Sequence, residues 1–262
     1  MLIAPGIEHT IPSSSAAAGG KDHGITAPPP VGQLWRDRPG FDRDFVERLL
    51  GRRRRRGLSG PTARRLAALE PELPELLDPQ VIYTTLPPTV TPRGSITLNH
   101  SSSRSAGAGL ELTNPKMIGA LQKAAKAVCL IATVGPELDR RVAELQGEGR
   151  LADAAILDAL GSGAVEWLAD RFLTHIVKEH DGLVAGPRFS PGYCDWPLND
   201  QPGLFSLLDH RQIGVELDAS CLMQPRKSIS ALFGLYETAA APADRDLIPC
   251  RRCPKRDCIA RR

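Results

Sequence analysis

The sequence predicts an α+β fold, and three observations carry that expectation. Helical and strand-like stretches do not interleave regularly, as the βαβ units of a parallel sheet would. The strand-like stretches are short, and one of them, Val128–Thr133, is apolar enough to be buried. No Gly-x-Gly-x-x-Gly turn follows a strand, which disfavours a Rossmann-type methyltransferase.

Residues 1–33 are rich in Pro, Gly, Ser and Ala without an apolar period, and are expected to form a disordered tail. A helix follows, with Phe41, Phe45, Val46, Leu49 and Leu50 at helical spacing and Gly51 as its stop. Arg52 to Arg56 read either as a solvated helix end or as a patch for nucleic acid or an acidic partner. A second helix is expected over 61–77, with Leu66, Leu69 and Leu73 on one side. Val81–Leu86 suits a strand closed by Pro87-Pro88, and Ser95–Leu98 suggests another. Residues 99–109 read as a loop, and Pro115–Ala127 as a helix leading into Val128–Thr133. Cys129 within that run reads as a small core residue. Val134-Gly-Pro closes the strand, and Glu137 opens a helix to about Leu145.

The longest helix is expected from about Leu151 to His180, with Leu157, Leu160, Ala164, Leu168 and Phe172 as its apolar stripe. Gly161 and Gly163 cost helix propensity and suggest close backbone contact. Glu166 lies on the other side with Ser162, Leu173 and Val177, so it is either paired or solvated, or at the edge of a polar site. His175 and His180 do not share a face and read as ordinary histidines. Further on come a short helix, Leu204–Leu208, and strands at Val215–Leu217 and Ile229–Leu235. Arg226 and Lys227 between them read as an anion contact or a solvated turn. The expected organisation is a tail over 1–33, one domain over 34–237, and a linker with a cysteine motif over 238–262.

Composition narrows the class. A net charge of +3 on 262 residues gives no field that argues for nucleic acid. No apolar run reaches the roughly 18 residues of a membrane span, and the N-terminus lacks a secretory pattern. Cys250-x-x-Cys253-x-x-x-x-Cys258 has metal-ligand spacing and suits a reducing cytoplasm. Three thiolates need a fourth, and Cys194 or Cys221 would complete the set. Spacing leaves a [4Fe–4S] cluster, structural zinc and free thiols all open.

The stretch Arg188-Phe-Ser-Pro-Gly-Tyr-Cys-Asp-Trp-Pro197 concentrates a cation, a glycine, aromatics, prolines and a thiol. It is expected to be a shaped loop, either a surface turn with aromatic plugs or a binding loop whose Arg188 fork suits a carboxylate or phosphate.

With Gln201–Leu208, Ile213–Leu217 and Ser220–Gly234, this loop resembles the activation domain of cobalamin-dependent methionine synthase. The family's Arg-x-x-x-Gly-Tyr motif is met by Arg188, Gly192 and Tyr193. Ile131–Asp139 and Ala164–Trp167 are similar as well, and the resemblance spans roughly 40–236. It implies a twisted antiparallel sheet with packed helices, S-adenosylmethionine binding, and reductive methylation of cobalamin in methionine biosynthesis. Arg188 would clamp the methionine carboxylate, Gly192 would admit the ligand to the backbone, and Tyr193 would line the pocket. Phe189 belongs to the same implied set, and Glu166 would face the ligand's cationic end. The chain has no Asp-x-His-x-x-Gly module, so a partner, a methionine synthase or another corrinoid protein, would carry the cobalamin. The electron would come from a donor such as a flavodoxin, or from a cluster held by Cys250, Cys253, Cys258 and Cys194. A metal-binding adaptor without catalysis is the competing expectation.

Overall fold

The computed structural model describes residues 32–52, 57–100 and 109–240. In chain order these form β1 (Gln33–Arg36), α1 (Arg43–Leu49), α2 (Gly60–Leu69), α3 (Leu73–Leu76), β2 (Gln80–Leu86), β3 (Thr89–Val90), β4 (Ile96–Leu98) and β5 (Leu110–Leu112). Then come α4 (Pro115–Leu121), β6 (Lys126–Thr133), α5 (Glu137–Gly147), α6 (Leu151–Glu179), β7 (Leu183–Ala185), α7 (Gln201–Phe205), β8 (Glu216–Leu217), β9 (Met223–Gln224) and β10 (Ser228–Glu237). The central sheet runs β1-β2-β6-β10-β7 with every pair antiparallel. The α+β expectation holds.

Both faces of this sheet are covered, which is why β6 is apolar from Ala127 to Ala132 instead of alternating. Side chains still alternate between two cores. Val128, Leu130 and Ala132, with Ala231, Phe233 and Leu235 of β10, face a helical layer. Ala127, Cys129, Ile131 and Leu232 face the opposite core. The helical layer is built around α6, against which α1, α2 and α5 pack. Both of its glycines mark close approaches. A Cβ at Gly163 would run into Val46 of α1, and the Gly163 carbonyl accepts from Asp42 N at 3.1 Å. A Cβ at Gly161 would meet Leu138 at 2.6 Å and Lys227 at 3.0 Å.

The other layer holds the small sheet β3-β4-β5, the helices α4 and α7, and the chain around Trp196. Asn114 caps α4 by accepting from Lys116 N and Met117 N, with Pro115 at the first helical position, where its missing donor costs nothing.

Several boundaries differ from those expected. The helix over 61–77 is broken into α2, a 3-10 turn over Glu70–Glu72, and α3, because Pro71 and Pro74 cannot donate within a continuous helix. The helix after Pro115 stops at Leu121, and the following strand starts early, at Lys126. Strands β1, β5 and β7 were not expected. Each has only three or four residues, too few to establish a period.

Burial has a consequence at alkaline pH. It pushes the Cys129 thiol and the Tyr236 phenol up to about 12, and raises Tyr83 in the same direction. Tyr236 also donates to the Ala120 carbonyl. The protonated forms favour the folded state, so this stability is complete below the unfolded values of 9.0 and 10.0 and is lost as pH climbs towards about 12. Urea midpoints are expected to fall from about pH 9, steepening to about 1.4 kcal/mol per pH unit for each group that titrates. Cys129→Ala should delay the onset by roughly a pH unit. A midpoint flat from about pH 8 to about pH 11 contradicts the assignment.

Candidate functional site

Beyond β7 the chain stays against β10. Gly186 N donates to Gly234 O at 2.8 Å, and Phe189 and Leu232 exchange bonds at 2.8 and 2.9 Å. Neighbouring side chains therefore point to opposite faces. Phe189 enters the second core, while Arg188 turns to α6. Its guanidinium donates to Glu166 Oε2, and to Asp170 Oδ1 at 3.4 Å. Glu166 and Asp170 are four residues apart and so stand on one helix face, a turn from each other. The Arg188 side chain is 13% exposed, Glu166 23% and Asp170 48%. The fork is thus largely covered, with one carboxylate half-buried and the other exposed.

The loop after Phe189 is folded tightly. Tyr193 N donates to Ser190 O at 3.1 Å, Trp196 N to Tyr193 O at 3.0 Å, and Gly192 N to Trp196 O at 2.8 Å. Gly192 has φ +86°, open to glycine without penalty. Cys194 and Asp195 also lie at positive φ, 54° and 63°, at about 1–2 kcal/mol each. Their surroundings offset that cost. Asp195 pairs with Lys116, and its carbonyl accepts from Asn114 Nδ2 at 2.6 Å. The Trp196 ring is buried, and its Nε1 donates to Asp200 at 3.0 Å. Tyr193, by contrast, is 53% exposed, a flat face on an anchored turn.

Of the residues expected at the site, Arg188 and Glu166 are in contact, and Gly192 and Tyr193 form the turn four and five residues on. Phe189 supports from behind: its ring is in the core across the sheet from Arg188. Asp170 was missed, although its i+4 spacing from Glu166 marked it as a neighbour. Beside it, Arg171 donates to Asp37 at 2.7 Å and lies 5.4 Å from the Trp167 ring centre. Burial acts to raise the Asp37 carboxyl, but the Arg171 bond and the charges of Arg171 and Arg38 hold it below the usual range.

Other candidates are placed differently. Lys227 is not a solvated turn, and the anion it contacts is a carboxylate of the chain itself. It is buried, pairs with Asp158 at 2.7 Å and donates to Ser162 at 3.0 Å. The Arg226 backbone N–H donates to Asp139 at 2.6 Å. His175 stacks on Trp35, and His180 lies against the Ile176 carbonyl. Cys194 is half-buried in the loop, and Cys221 sits at φ 63° between β8 and β9. Cys250, Cys253 and Cys258, Arg53 to Arg56, and residues 1–31 of the expected tail lie outside the described residues, while Gln33 at the tail's expected end begins β1. Arg52 pairs with Asp44 and Glu47. Among the described residues no group of three or more His, Cys, Asp or Glu is arranged to hold a metal, and no helix is long and apolar enough to cross a membrane.

No family model and no curated protein matches the sequence. The fold does match a solved structure, the MetH reactivation domain bound to AdoHcy. The TM-score is 0.58 at 18% identity, over 89% of this chain and 90% of that one. The chain therefore has the reactivation-domain fold, a twisted antiparallel sheet with packed helices.

Proposed function

We propose that this chain binds S-adenosylmethionine where α6 meets the 188–197 loop, and that it reactivates a cobalamin-dependent methionine synthase. The observation that carries the reading is Arg188, held by Glu166 and Asp170 beside the Gly192–Tyr193 turn in a reactivation-domain fold. This grouping of one guanidinium and two carboxylates suits a ligand with a carboxylate, an ammonium and a sulfonium. Arg188 takes the carboxylate as a two-point fork. Glu166 and Asp170, released from Arg188, then face the cationic groups. The exposed Tyr193 ring covers the ligand, and Gly192 leaves the backbone open to it. None of these residues acts as a strong acid or base; they position the ligand and exclude water. S-adenosylmethionine would supply a methyl group, which with one electron returns the partner's cob(II)alamin to methylcobalamin and leaves S-adenosylhomocysteine.

The corrinoid belongs to a partner, a methionine synthase lacking this domain or another corrinoid protein. A flavodoxin-like donor is one electron source. A cluster on Cys250, Cys253, Cys258 and Cys194 is the other. Anaerobic reconstitution is expected to give visible iron–sulfur absorption that Cys250→Ser removes; stoichiometric zinc without that absorption eliminates cluster-driven electron delivery. The central test is calorimetric titration of the full chain with S-adenosylmethionine and S-adenosylhomocysteine, with one-site binding expected for both. Absence of binding while the cysteines hold metal would favour a metal-binding adaptor.

A further inference from the structure

A second cluster of cations lies away from Arg188. Between α2 and the start of α6 is an open cavity of about 290 Å³, close to the lower end of ligand-pocket sizes, about 300–1,000 Å³. Three arginines line it: Arg64 and Arg65 from α2, and Arg150 from the residue before α6. Ala68 and Leu69 form its apolar wall. Asp153, in the first turn of α6, sits among them with its side chain only 10% exposed. We propose that this cavity is a binding site for a phosphoryl group, either inorganic phosphate or the phosphate of a small monoester.

Charge and donor geometry carry the assignment. Asp153 receives Arg65 at 2.7 Å and Arg150 at 3.0 Å, one on each oxygen. A guanidinium has five N–H donors, so each arginine is fixed in place with donors left over. Glu72, the other carboxylate of the lining, is taken by Arg141 at 3.2 Å. Arg64 has no ion-pair partner among the described residues. The lining therefore carries three arginines against two carboxylates, Asp153 and Glu72, and Arg150 also donates to Glu148 at 3.3 Å. Planar forks arriving from two elements match the several oxygens of a phosphate better than a single carboxylate. The start of the 29-residue α6 adds its own weight. Asp153 N already donates to Arg150 O at 3.1 Å, and the helix dipole favours a negative charge at this end. No side chain caps this end. Asp153 and Glu166 are thirteen positions apart on one helix, so the two sites are about 20 Å apart. Occupancy of one does not require the other.

The test is phosphorus NMR and calorimetry on the full chain at fixed ionic strength, with chloride as the control. Inorganic phosphate, adenosine 5′-monophosphate and adenosine are titrated separately. Saturable binding of phosphate or of the monophosphate, but not of adenosine, is expected. A monophosphate that binds at least as well as free phosphate identifies a monoester ligand, and the reverse order identifies the free ion. Arg64→Gln should weaken binding by roughly tenfold or more with an unchanged melting temperature, since Arg64 holds nothing else in place. Ala68→Asp, which sets a carboxylate in the wall, should abolish binding, and Arg188→Gln should leave it untouched. Lack of saturation up to about 10 mM, or binding indifferent to both Arg64→Gln and Ala68→Asp, overturns the proposal. Binding lost only in Arg188→Gln overturns it too, by assigning the anion to the other site.

Discussion

Trp196→Ala is expected to lower the unfolding free energy by about 3–5 kcal/mol, the cost of removing a large buried aromatic without collapse of the space. The same change should abolish S-adenosylmethionine binding. The two effects share a cause. With Phe189 at the loop's start, the indole fixes the 188–197 loop to the core of α4, α7 and the small sheet. Its backbone closes the turn through Gly192 and Tyr193, and its Nε1 is satisfied by Asp200. Without the ring, the positive-φ conformations of Cys194 and Asp195 lose the burial that offsets them. Trp196→Phe separates the contributions: it keeps most of the apolar area and forfeits one hydrogen bond, about 1 kcal/mol. Chemical denaturation followed by titration of the folded variants measures both. An alanine variant with the parent's denaturation midpoint would show that the loop is held by something other than this side chain.

The legibility of the fold follows the physics of each segment. β6 was readable because a strand covered on both faces must be apolar along its length, and α6 because its stripe repeats over many turns. The glycines of α6 were readable as contacts, and Gly163 indeed meets Val46. β1 was not readable. Gln33, Leu34 and Arg36 are exposed, and the strand exists because β2 offers it an edge and Trp35 packs on Phe172. At the site, the resemblance gave Arg188 and Glu166 as candidates, but nothing in spacing says that positions 22 apart share a bond. Lys227 shows the converse limit: a lysine in a Pro-Arg-Lys turn looks solvated until the cleft at Gly161 and Asp158 is built around it.

The Arg188–Glu166 pair sets the last expectation. Arg188→Ala should weaken S-adenosylmethionine binding by about 1.5–3 kcal/mol, the worth of a hydrogen bond to a charged group. Arg188→Lys should recover little of it, because a single ammonium cannot span a carboxylate at two points. The ligand-free pairing makes the outcome more specific than simple loss. In the proposed mode Arg188 turns from Glu166 and Asp170 to the ligand's carboxylate, so each carboxylate would compete for Arg188 and would then face the ligand's cationic groups. Asp170, exposed and with its bond at 3.4 Å, competes weakly; Asp170→Asn should change affinity by less than about 1 kcal/mol. Glu166 is more enclosed, and Glu166→Gln should cost affinity through the lost charge facing the sulfonium and ammonium. In the combined Arg188→Ala, Glu166→Gln protein the losses should fall short of additive, since one ligand engages both groups. Strict additivity would place the two residues in separate roles, and parental affinity in Arg188→Ala would remove the pocket from this face of α6.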